Sequence, residues 1–476
     1  MRLRSPWQPR LAEGSGSPGE RLAAALSQDI LSGALAVGAR LPAQRDLAWR
    51  LGIGLGTVTK AYALLERRGL LRSVRGSGSF VAATEARKGP LIDLSRNAPP
   101  SGVSERLLAR TLAAVSRRLD ADVFNSYPPV AGHARYRNEM ARWFRRLGME
   151  ADPECLLLAG GAQHALAVAL STLCGPGGTL LVEAQTYPGV LALARHMGLR
   201  VLAVAMDAEG MLPDALDEVL DGLRSEGGIA VYLTPTMQNP TTGSMGRARR
   251  EAIVAVCRAR DAMLVEDDVY TLAPEAEFPP LASLAPERVV YINSLSKTLN
   301  PSLRVGGLVV PPALVARTEA ALHASGLMIS PLGCVVMEQW VLDGTAEAIG
   351  TAIREEAARR RALAGAILGP AMRDARHVGY HVWLPLLAGQ AAVLEAAARA
   401  LGILVTPPAS TAAAPGTPAN EASCGVRLCL GAPAMDELET ALRAIAGLVE
   451  NLGSAAPPPV LRPVGIHREL MTAAVR

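Results

Sequence analysis

Apolar residues recur at helical spacing in three consecutive segments near the start of the chain. The first opens with Ser17-Pro18-Gly19-Glu20, which is typical of a helix N-terminus, and the segments stop at Gly33, Gly52 and Gly69. We therefore predict helices that begin at Pro18, at Leu41-Pro42 and near Thr57. Their core positions would be Leu22, Leu26 and Ile30, then Leu47 and Leu51, then Val58, Ala61, Tyr62 and Leu65.

The short glycine-containing turn before the third helix predicts a helix-turn-helix. Two short apolar runs, 70–74 and 79–81, flank Arg75-Gly76-Ser77-Gly78 and predict a hairpin wing. In such a module the third helix enters the major groove of DNA. We expect base-side contacts from Thr57, Thr59 and Lys60, and phosphate or minor-groove contacts from Arg45, Arg72 and Arg75. The alternative is that these basic side chains are merely solvated, but three helices followed by a basic hairpin favour DNA binding.

From residue 92 onward, strand-like and helix-like runs alternate, which is the pattern of an α/β fold with a mainly parallel sheet. The clearest buried strands are predicted at 179–182, 229–233, 262–266 and 289–292. In open α/β sheets, ligands bind beyond the carboxyl ends of the strands. The residues that follow these four strands are therefore the candidates for chemistry.

Those residues include Tyr187, Asn239, Asp267 and Lys297. Lys297 lies in Ser294-Leu295-Ser296-Lys297, where two hydroxyls can bind a phosphate while the amine forms a Schiff base with an aldehyde. A carboxylate at the end of a buried strand needs a cationic partner, and a protonated pyridine nitrogen is one. Each feature alone has a structural explanation: Asp267 can cap a helix, and Asn239-Pro240 can be an ordinary turn. Together and in this order they favour a pyridoxal phosphate site.

Composition narrows the class of protein. The 476 residues are 50% hydrophobic and 19% charged, too long for one ordinary domain and too apolar for a disordered chain. Residues 1–90 carry 14 basic and 6 acidic residues, a net charge of +8, whereas the remainder carries −4, as expected for a nucleic-acid-binding module joined to another domain. Neither a secretory signal nor a membrane span is evident, so we expect a cytoplasmic protein. The spacing of the six cysteines predicts neither disulfides nor a metal site.

The N-terminal module at residues 17–81, the head, resembles the GntR family of winged-helix regulators. The motifs that carry the resemblance are Arg40-Leu41-Pro42 with Arg45, Leu47-Ala48 with Leu51-Gly52, Thr57-Val58 with Ala61-Tyr62, and Gly76-Ser77-Gly78 with Phe80-Val81. One departure stands out. Many members carry Ser-Arg just before the Thr-Val pair, where this chain has Gly54 and Leu55. The operator sequence that this family usually binds therefore cannot be assigned to this protein.

The body, from about residue 92 to 450, resembles the fold-type I aminotransferases. The matching stretches are Tyr127–Gly132, Gly161-Ala162-Gln163, Glu183–Gly189, Asn239–Gly243, Asp267 with Tyr270, Ser294 and Lys297 with Arg304, and Val426-Arg427-Leu428. By this resemblance, Lys297 bonds the cofactor and Asp267 holds its ring nitrogen. Asn239 and Tyr270 bind the ring 3′-oxygen, and Tyr187 stacks on the ring.

The same resemblance implies roles at the two ends of the cofactor. The phosphate would be held by Ala162, Gln163, Ser294, Ser296 and Arg304, and by Tyr127 of the neighbouring subunit in a homodimer. Arg427 would clamp the carboxylate of a substrate or effector.

A GntR-type head joined to an aminotransferase-like body resembles the MocR subfamily of bacterial regulators. The predicted organisation is a DNA-binding domain at 1–81, a linker at 82–91, a pyridoxal phosphate domain at 92–452 and a tail at 453–476. The resemblance implies a regulator of double-stranded DNA whose body senses pyridoxal phosphate, or an amino acid or amine condensed with it, through a Schiff base on Lys297. Two alternatives stay open: an active aminotransferase with an appended helix-turn-helix, and a regulator that responds to the cofactor alone.

Overall fold

A computed structural model describes residues 7–12, 16–31, 35, 39–67, 70–74, 78–81, 91–100, 102–413 and 424–454. Arg75, nearly all of the predicted linker 82–91 and nearly all of the predicted tail 453–476 lie outside the described residues. The predicted domain boundaries therefore stay predictions.

The head contains the three helices and the hairpin that the apolar pattern predicts. These are α1 (Pro18–Leu31), α2 (Gln44–Leu51), α3 (Leu55–Arg67), β1 (Leu71–Val74) and β2 (Gly78–Val81), with β1 and β2 antiparallel. The first residues of two helices differ from the prediction. Helix α2 begins only at Gln44 because Ala43 is still extended (ψ 138°). Helix α3 begins at Leu55, since the Gly54 carbonyl already accepts from the Thr57 and Val58 amides.

The turn between α2 and α3 depends on Gly52. Its φ of 64° lies in the left-handed region, and its N–H donates to the Ala48 and Trp49 carbonyls. The helices enclose a small core in which Leu22, Leu47 and Val58 are fully buried. Burying such a side chain contributes about 1.5–3 kcal/mol, so the apolar pattern alone accounts for much of the stability of the head.

The body is built on fourteen α-helices and eleven strands within the described residues. Its strands are β3 (Ile92–Leu94), β4 (Leu156–Ala159), β5 (Thr179–Glu183), β6 (Arg200–Val204), β7 (Ile229–Leu233), β8 (Met263–Asp267), β9 (Val289–Ser294), β10 (Gly306–Val309), β11 (His381–Pro385), β12 (Ile403–Val405) and β13 (Gly425–Cys429). Its α-helices up to residue 300 are α4 (Glu105–Ser116), α5 (Ala121–Asn125), α6 (Ala134–Arg146), α7 (Ala162–Leu173), α8 (Pro188–His196), α9 (Pro213–Asp221), α10 (Arg247–Ala259), α11 (Leu281–Leu284) and α12 (Leu295–Thr298). The later ones are α13 (Val315–Gly326), α14 (Pro331–Leu342), α15 (Thr345–Leu368), α16 (Ala388–Ala400) and α17 (Met435–Ser454).

The central sheet has the order β4-β10-β9-β8-β7-β5-β6. Neighbours from β9 to β6 are parallel, and β10 is antiparallel to both β4 and β9. The four strands predicted from the sequence therefore lie side by side. Three of them run further than predicted: β5 ends at Glu183, β8 at Asp267 and β9 at Ser294. The carboxyl ends of these strands meet at one edge, where ligands of α/β proteins bind.

Both faces of this sheet are buried under helices, and each carries its own apolar cluster. A third cluster holds the carboxyl-terminal part, in which β11 pairs with β13, β12 pairs with β3, and α15 and α17 contribute buried side chains. No single helix of the described ranges is long and apolar enough to cross a membrane. One bent pair, Pro312–Gly326 and Pro331–Leu342 at 119°, has the length and composition of a broken span.

Candidate functional site

Asp267 ends β8 and lines a cavity of about 160 Å³ at the carboxyl edge of the sheet. Its Oδ2 accepts a hydrogen bond from the Tyr232 hydroxyl at 2.8 Å, whereas its Oδ1 is buried and has no partner. Burial raises the pKa of Asp267 to about 6, because the charged carboxylate loses water. A buried carboxylate with one free oxygen fits a cationic ring nitrogen.

Lys297 lies on α12, directly after the strand neighbouring β8, and lines the same cavity. Burial lowers the pKa of its ammonium to about 8, so a usable fraction of the amine is neutral and nucleophilic near neutral pH. The Lys297 Nζ lies 6.0 Å from the centre of the Tyr270 ring and donates to the backbone oxygen of Asn97. These properties fit an amine that bonds an aldehyde.

The far end of the cavity is suited to a phosphate. Helix α7 starts there at Ala162 and Gln163, whose backbone N–H groups lie in its first turn. Ser294 and Ser296 line the same end, and the Ser296 Oγ is buried without a partner. Arg304 lies against the start of α7, since its Nη2 donates to the Gly160 carbonyl at 3.0 Å.

The start of α7 forms an anion cup together with Ser294, Ser296 and Arg304. Backbone packing beside this anion cup leaves no room for a side chain at two glycine positions. A Cβ on Gly161, whose φ is 90°, would lie 2.9 Å from Arg304 Nη2. A Cβ on Gly306 would lie 2.9 Å from the Gly161 carbonyl carbon. Glycine at both positions therefore allows the guanidinium and β10 to approach the helix start.

The aromatic and amide residues form the walls of the site. The Tyr187 hydroxyl donates to Gln163 Oε1 at 3.0 Å, which holds the ring over the cavity. On the other side, Asn239 Nδ2 donates to the Tyr270 hydroxyl at 3.0 Å, and both residues are buried. The structure thus brings the predicted Asn239 and Tyr270 together as a pair.

Arg427 lies on β13 and is only 6% exposed. Its guanidinium donates to Asn239 Oδ1, to Thr406 Oγ1 at 3.1 Å and to the Ser95 carbonyl at 3.1 Å. These acceptors are all neutral, and no ion pair joins Arg427 to a carboxylate of the described residues. A buried cation held by neutral groups fits a carboxylate supplied by a ligand.

Some predicted residues lie elsewhere. Tyr127 is 82% exposed and does not line the cavity, so its predicted contact with the phosphate of a neighbouring subunit stays a prediction. In the head, Arg45 and Lys60 are exposed and Thr57 is half-buried, while the exposed Thr59 hydroxyl donates to Gln44 Oε1 at 2.8 Å. Leu55, at the start of α3, is 43% exposed. The side chain of Arg72 and the whole of Arg75 lie outside the described residues, so those two contacts stay predictions.

Three contributors to the site are not predicted from the sequence. Tyr232 belongs to an apolar strand and looks like a core residue, yet it is the partner of Asp267. Ser95 and Asn97 contribute backbone carbonyls that accept from Arg427 and Lys297. A backbone carbonyl leaves no signal in a sequence, because every residue has one.

Comparison with known proteins agrees with this geometry. Residues 89–445 match the family described as aminotransferase class I and II, and residues 18–81 match the bacterial regulatory proteins of the gntR family. The uncharacterized HTH-type transcriptional regulator YdeF of Bacillus subtilis is 29% identical over 94% of this chain and 97% of its own length. The vitamin B6 salvage pathway transcriptional repressor PtsJ of Salmonella typhimurium is 29% identical over 76% of this chain and 84% of its own.

A solved structure is similar to the body. The α-aminoadipate aminotransferase LysN of Thermus thermophilus, complexed with N-(5′-phosphopyridoxyl)-L-leucine, has a TM-score of 0.65 and 27% identity. The match covers 78% of this chain and 95% of the LysN chain.

The chain belongs to the aminotransferase class I and II family and carries a gntR-family domain at its N-terminus. This combination confirms the predicted resemblance to the MocR subfamily and the predicted fold class. It also confirms pyridoxal phosphate as the cofactor. The residues fit that group, since the partnerless Asp267 Oδ1, the Lys297 amine and the anion cup at α7 meet in one cavity.

Proposed function

We propose that this protein is a transcriptional regulator whose head binds double-stranded DNA and whose body binds pyridoxal phosphate together with an amino acid or amine effector. The gntR-type head and its exposed Arg45 and Lys60 support the first part, and the cavity around Lys297 supports the second. Among its relatives, PtsJ is named as a repressor of vitamin B6 salvage. Such a regulator acts in the cytoplasm, where bacterial DNA lies, and as a homodimer it would present two heads to two half-sites.

The body would hold the cofactor through residues in and around its cavity. The Lys297 amine would bond the cofactor aldehyde, and the Asp267 Oδ1 would accept from the ring nitrogen. Asn239 and Tyr270 bind the 3′-oxygen, Tyr187 covers the ring, and a second copy contributes Tyr127 to the phosphate. The remaining phosphate ligands are Ala162, Gln163, Ser294, Ser296 and Arg304. When bound, the cofactor supplies an electron-withdrawing ring that activates an attached amino group.

The effector would carry a carboxylate, because Arg427 is a buried cation with only neutral acceptors around it. A planar guanidinium binds a carboxylate through two parallel hydrogen bonds. Three of its five N–H groups donate to protein acceptors, so a carboxylate that takes the Nη2 hydrogen bond used now would displace the Ser95 carbonyl.

One observation carries the regulatory part of the proposal: the segment 95–97 accepts hydrogen bonds from both ligand-binding cations. Lys297 donates to the Asn97 carbonyl, and Arg427 donates to the Ser95 carbonyl. This segment follows β3, and in the sequence only residues 82–90 separate residue 91 from the end of β2. A cofactor bonded to Lys297, and an effector carboxylate that takes the Arg427 Nη2 hydrogen bond, would free these carbonyls and so release segment 95–97. Regulation follows if the released state has a different affinity for DNA.

The test is a gel-shift titration of the full chain on the intergenic DNA beside its own gene, at physiological salt and with competitor DNA. We expect specific binding whose midpoint changes when pyridoxal phosphate is added and changes again with the effector amino acid. Lys297→Ala is the control, because it keeps the head but loses the covalent bond. Binding no tighter than to competitor DNA, or an unchanged cofactor response in Lys297→Ala, would contradict the proposal.

An active aminotransferase is the second candidate. It is favoured by the intact set of Lys297, Asp267 and Tyr270 around one cavity, and by Arg427, which donates to Asn239 beside Tyr270, in a body that resembles LysN. Repeated spectral cycling with an amino donor and a keto acid acceptor would support it. A single conversion without turnover, combined with a ligand-dependent gel shift, would favour the regulator. A response to pyridoxal phosphate with no further change across a panel of amino acids would favour a sensor of the cofactor alone.

A further inference from the structure

Two adjacent carboxylates at the end of β8 face opposite sides of the sheet, and each meets a tyrosine from a neighbouring strand. Tyr232 of β7 donates to Asp267 Oδ2 at 2.8 Å, and Tyr291 of β9 donates to Asp268 Oδ2 at 2.9 Å. The tyrosines belong to the apolar clusters of opposite faces, and both are fully buried. The two pairs are alike in donor, acceptor atom, distance and burial.

The pairs differ at the second carboxylate oxygen. Asp268 Oδ1 accepts from the Thr271 hydroxyl at 2.5 Å, so both of its oxygens are satisfied within the protein. Asp267 Oδ1 has no partner, and Asp267 lines the cofactor cavity. Tyr232 therefore occupies one oxygen of Asp267 and leaves the other for a ligand.

We propose that Tyr232 is the positioning residue of Asp267: it anchors Oδ2 so that Oδ1 faces the cofactor ring, and it keeps the proton of that contact on the ring nitrogen. This inference rests on the role of Asp267 in the proposed function. The ring nitrogen and the carboxylate share one proton, and a hydrogen bond donated to the carboxylate makes that carboxylate the weaker base. Only the position of this shared proton changes, and no other bond forms or breaks.

The local geometry orients the tyrosine as a donor. The Thr234 hydroxyl donates to the Tyr232 oxygen at 3.5 Å, which leaves the phenolic proton directed to Asp267. Burial raises the pKa of Asp267 to about 6, and the Tyr232 hydrogen bond opposes that rise. Without the hydroxyl, one of the interactions that oppose the effect of burial would be lost, and the pKa of the carboxyl would rise further.

The experiment uses the full chain loaded with pyridoxal phosphate that carries ¹⁵N at the ring nitrogen. The ¹⁵N chemical shift reports directly whether that nitrogen is protonated, whatever the activity of the protein. We expect a protonated nitrogen in the wild type and a shift toward the unprotonated value in Tyr232→Phe. A change of about one pKa unit corresponds to a tenfold change in the ratio of the two forms. Fluorotyrosine at position 232, a stronger donor, is expected to keep the nitrogen protonated.

Tyr291→Phe is the matched control, since it removes the same hydroxyl from the pair that does not face the cofactor. It is expected to leave the ¹⁵N shift at the wild-type value. Asp267→Asn marks the unprotonated limit. If Asp267→Asn moves the shift but Tyr232→Phe does not, the inference about Tyr232 is overturned and the role of Asp267 stands. An equal change in Tyr291→Phe also overturns it, because loosened packing then explains the result. If Asp267→Asn leaves the shift unchanged, the assignment of Asp267 itself fails.

Discussion

The head and the body of this chain prepare their binding residues in different ways. In the body, Asp267 and Arg427 are buried, and protein groups already hold each of them in place. In the head, Arg45 and Lys60 lie exposed on helices whose buried sides form the core. The body is therefore preorganised for its ligand, whereas the head depends on charges that act only when DNA is present. Single substitutions should have large effects in the body and small ones in the head.

The largest effect is expected for Lys297→Ala. This change removes the amine that bonds the cofactor, and no other lysine lines the cavity. We expect the visible absorption of covalently bound cofactor to vanish and the cofactor-dependent gel shift to be lost. Without cofactor, DNA affinity should lie between those of the free and the cofactor-bound wild type, because the hydrogen bond from Lys297 to the Asn97 carbonyl is lost while the one from Arg427 to Ser95 remains. If the variant retained cofactor after dialysis and borohydride treatment, this would contradict the proposed contrast between the body and the head.

The next largest effect is expected for Arg427→Lys. The charge is kept, but the two-pronged contact with a carboxylate is lost, so effector affinity should fall by about tenfold or more. Calorimetric titration of the cofactor-loaded protein measures this directly. The response to pyridoxal phosphate alone should remain. Equal effector affinity in the two proteins would show that the carboxylate binds elsewhere.

The pH dependence of cofactor bonding should reveal the buried environment of Lys297. Burial disfavours the ammonium form and lowers its pKa to about 8, so the neutral amine increases from about one-tenth at pH 7 to about nine-tenths at pH 9. Stopped-flow absorbance should therefore show a rate that rises about tenfold over this range and then levels off. N-acetyl-lysine methylamide is the reference, and its rate should keep rising. A protein rate that rises in parallel with the reference would place Lys297 in a solvated environment.

The smallest effect is expected in the head. Lys60→Ala should weaken binding to operator and competitor DNA by a similar few-fold factor and reduce the salt slope by about 1, because one phosphate contact is lost. Gel shifts at several salt concentrations measure both quantities. Arg443→Ala is the control, since Arg443 is an exposed arginine of the body paired with Glu439. A loss confined to operator DNA would mean that Lys60 reads a base.

Much of the fold was predictable because its signals are local. The apolar spacing in α1 and α3 and the glycine at position 52 each act within a few residues of the chain. The order of Asp267 and Lys297 after two buried strands was equally readable, since neighbouring parallel strands end at the same edge. The predicted starts of α2 and α3 were wrong by two residues. They were decided by the extended backbone of Ala43 and by the hydrogen bonds to the Gly54 carbonyl.

The contacts between distant segments were not predictable. Asn97 and Lys297 are 200 residues apart, and Ser95 and Arg427 are 332 apart. Asp267 and Asp268 look equivalent in the sequence, yet one lines the cofactor cavity with a free oxygen and the other does not. Their difference arises from the alternation of side chains along β8 and from which tyrosine each neighbouring strand supplies.

The sequence by itself determined the two-part organisation of this protein, the class of each part and the identity of the cofactor-bonding lysine. Burial and backbone propensity act over short stretches of chain, so their pattern is written in residue order. Only the tertiary structure decided that Tyr232 serves Asp267 and that segment 95–97 accepts from both Lys297 and Arg427. Polar contacts depend on strand register and on packing between segments far apart in the chain, and no local pattern encodes which atoms will meet.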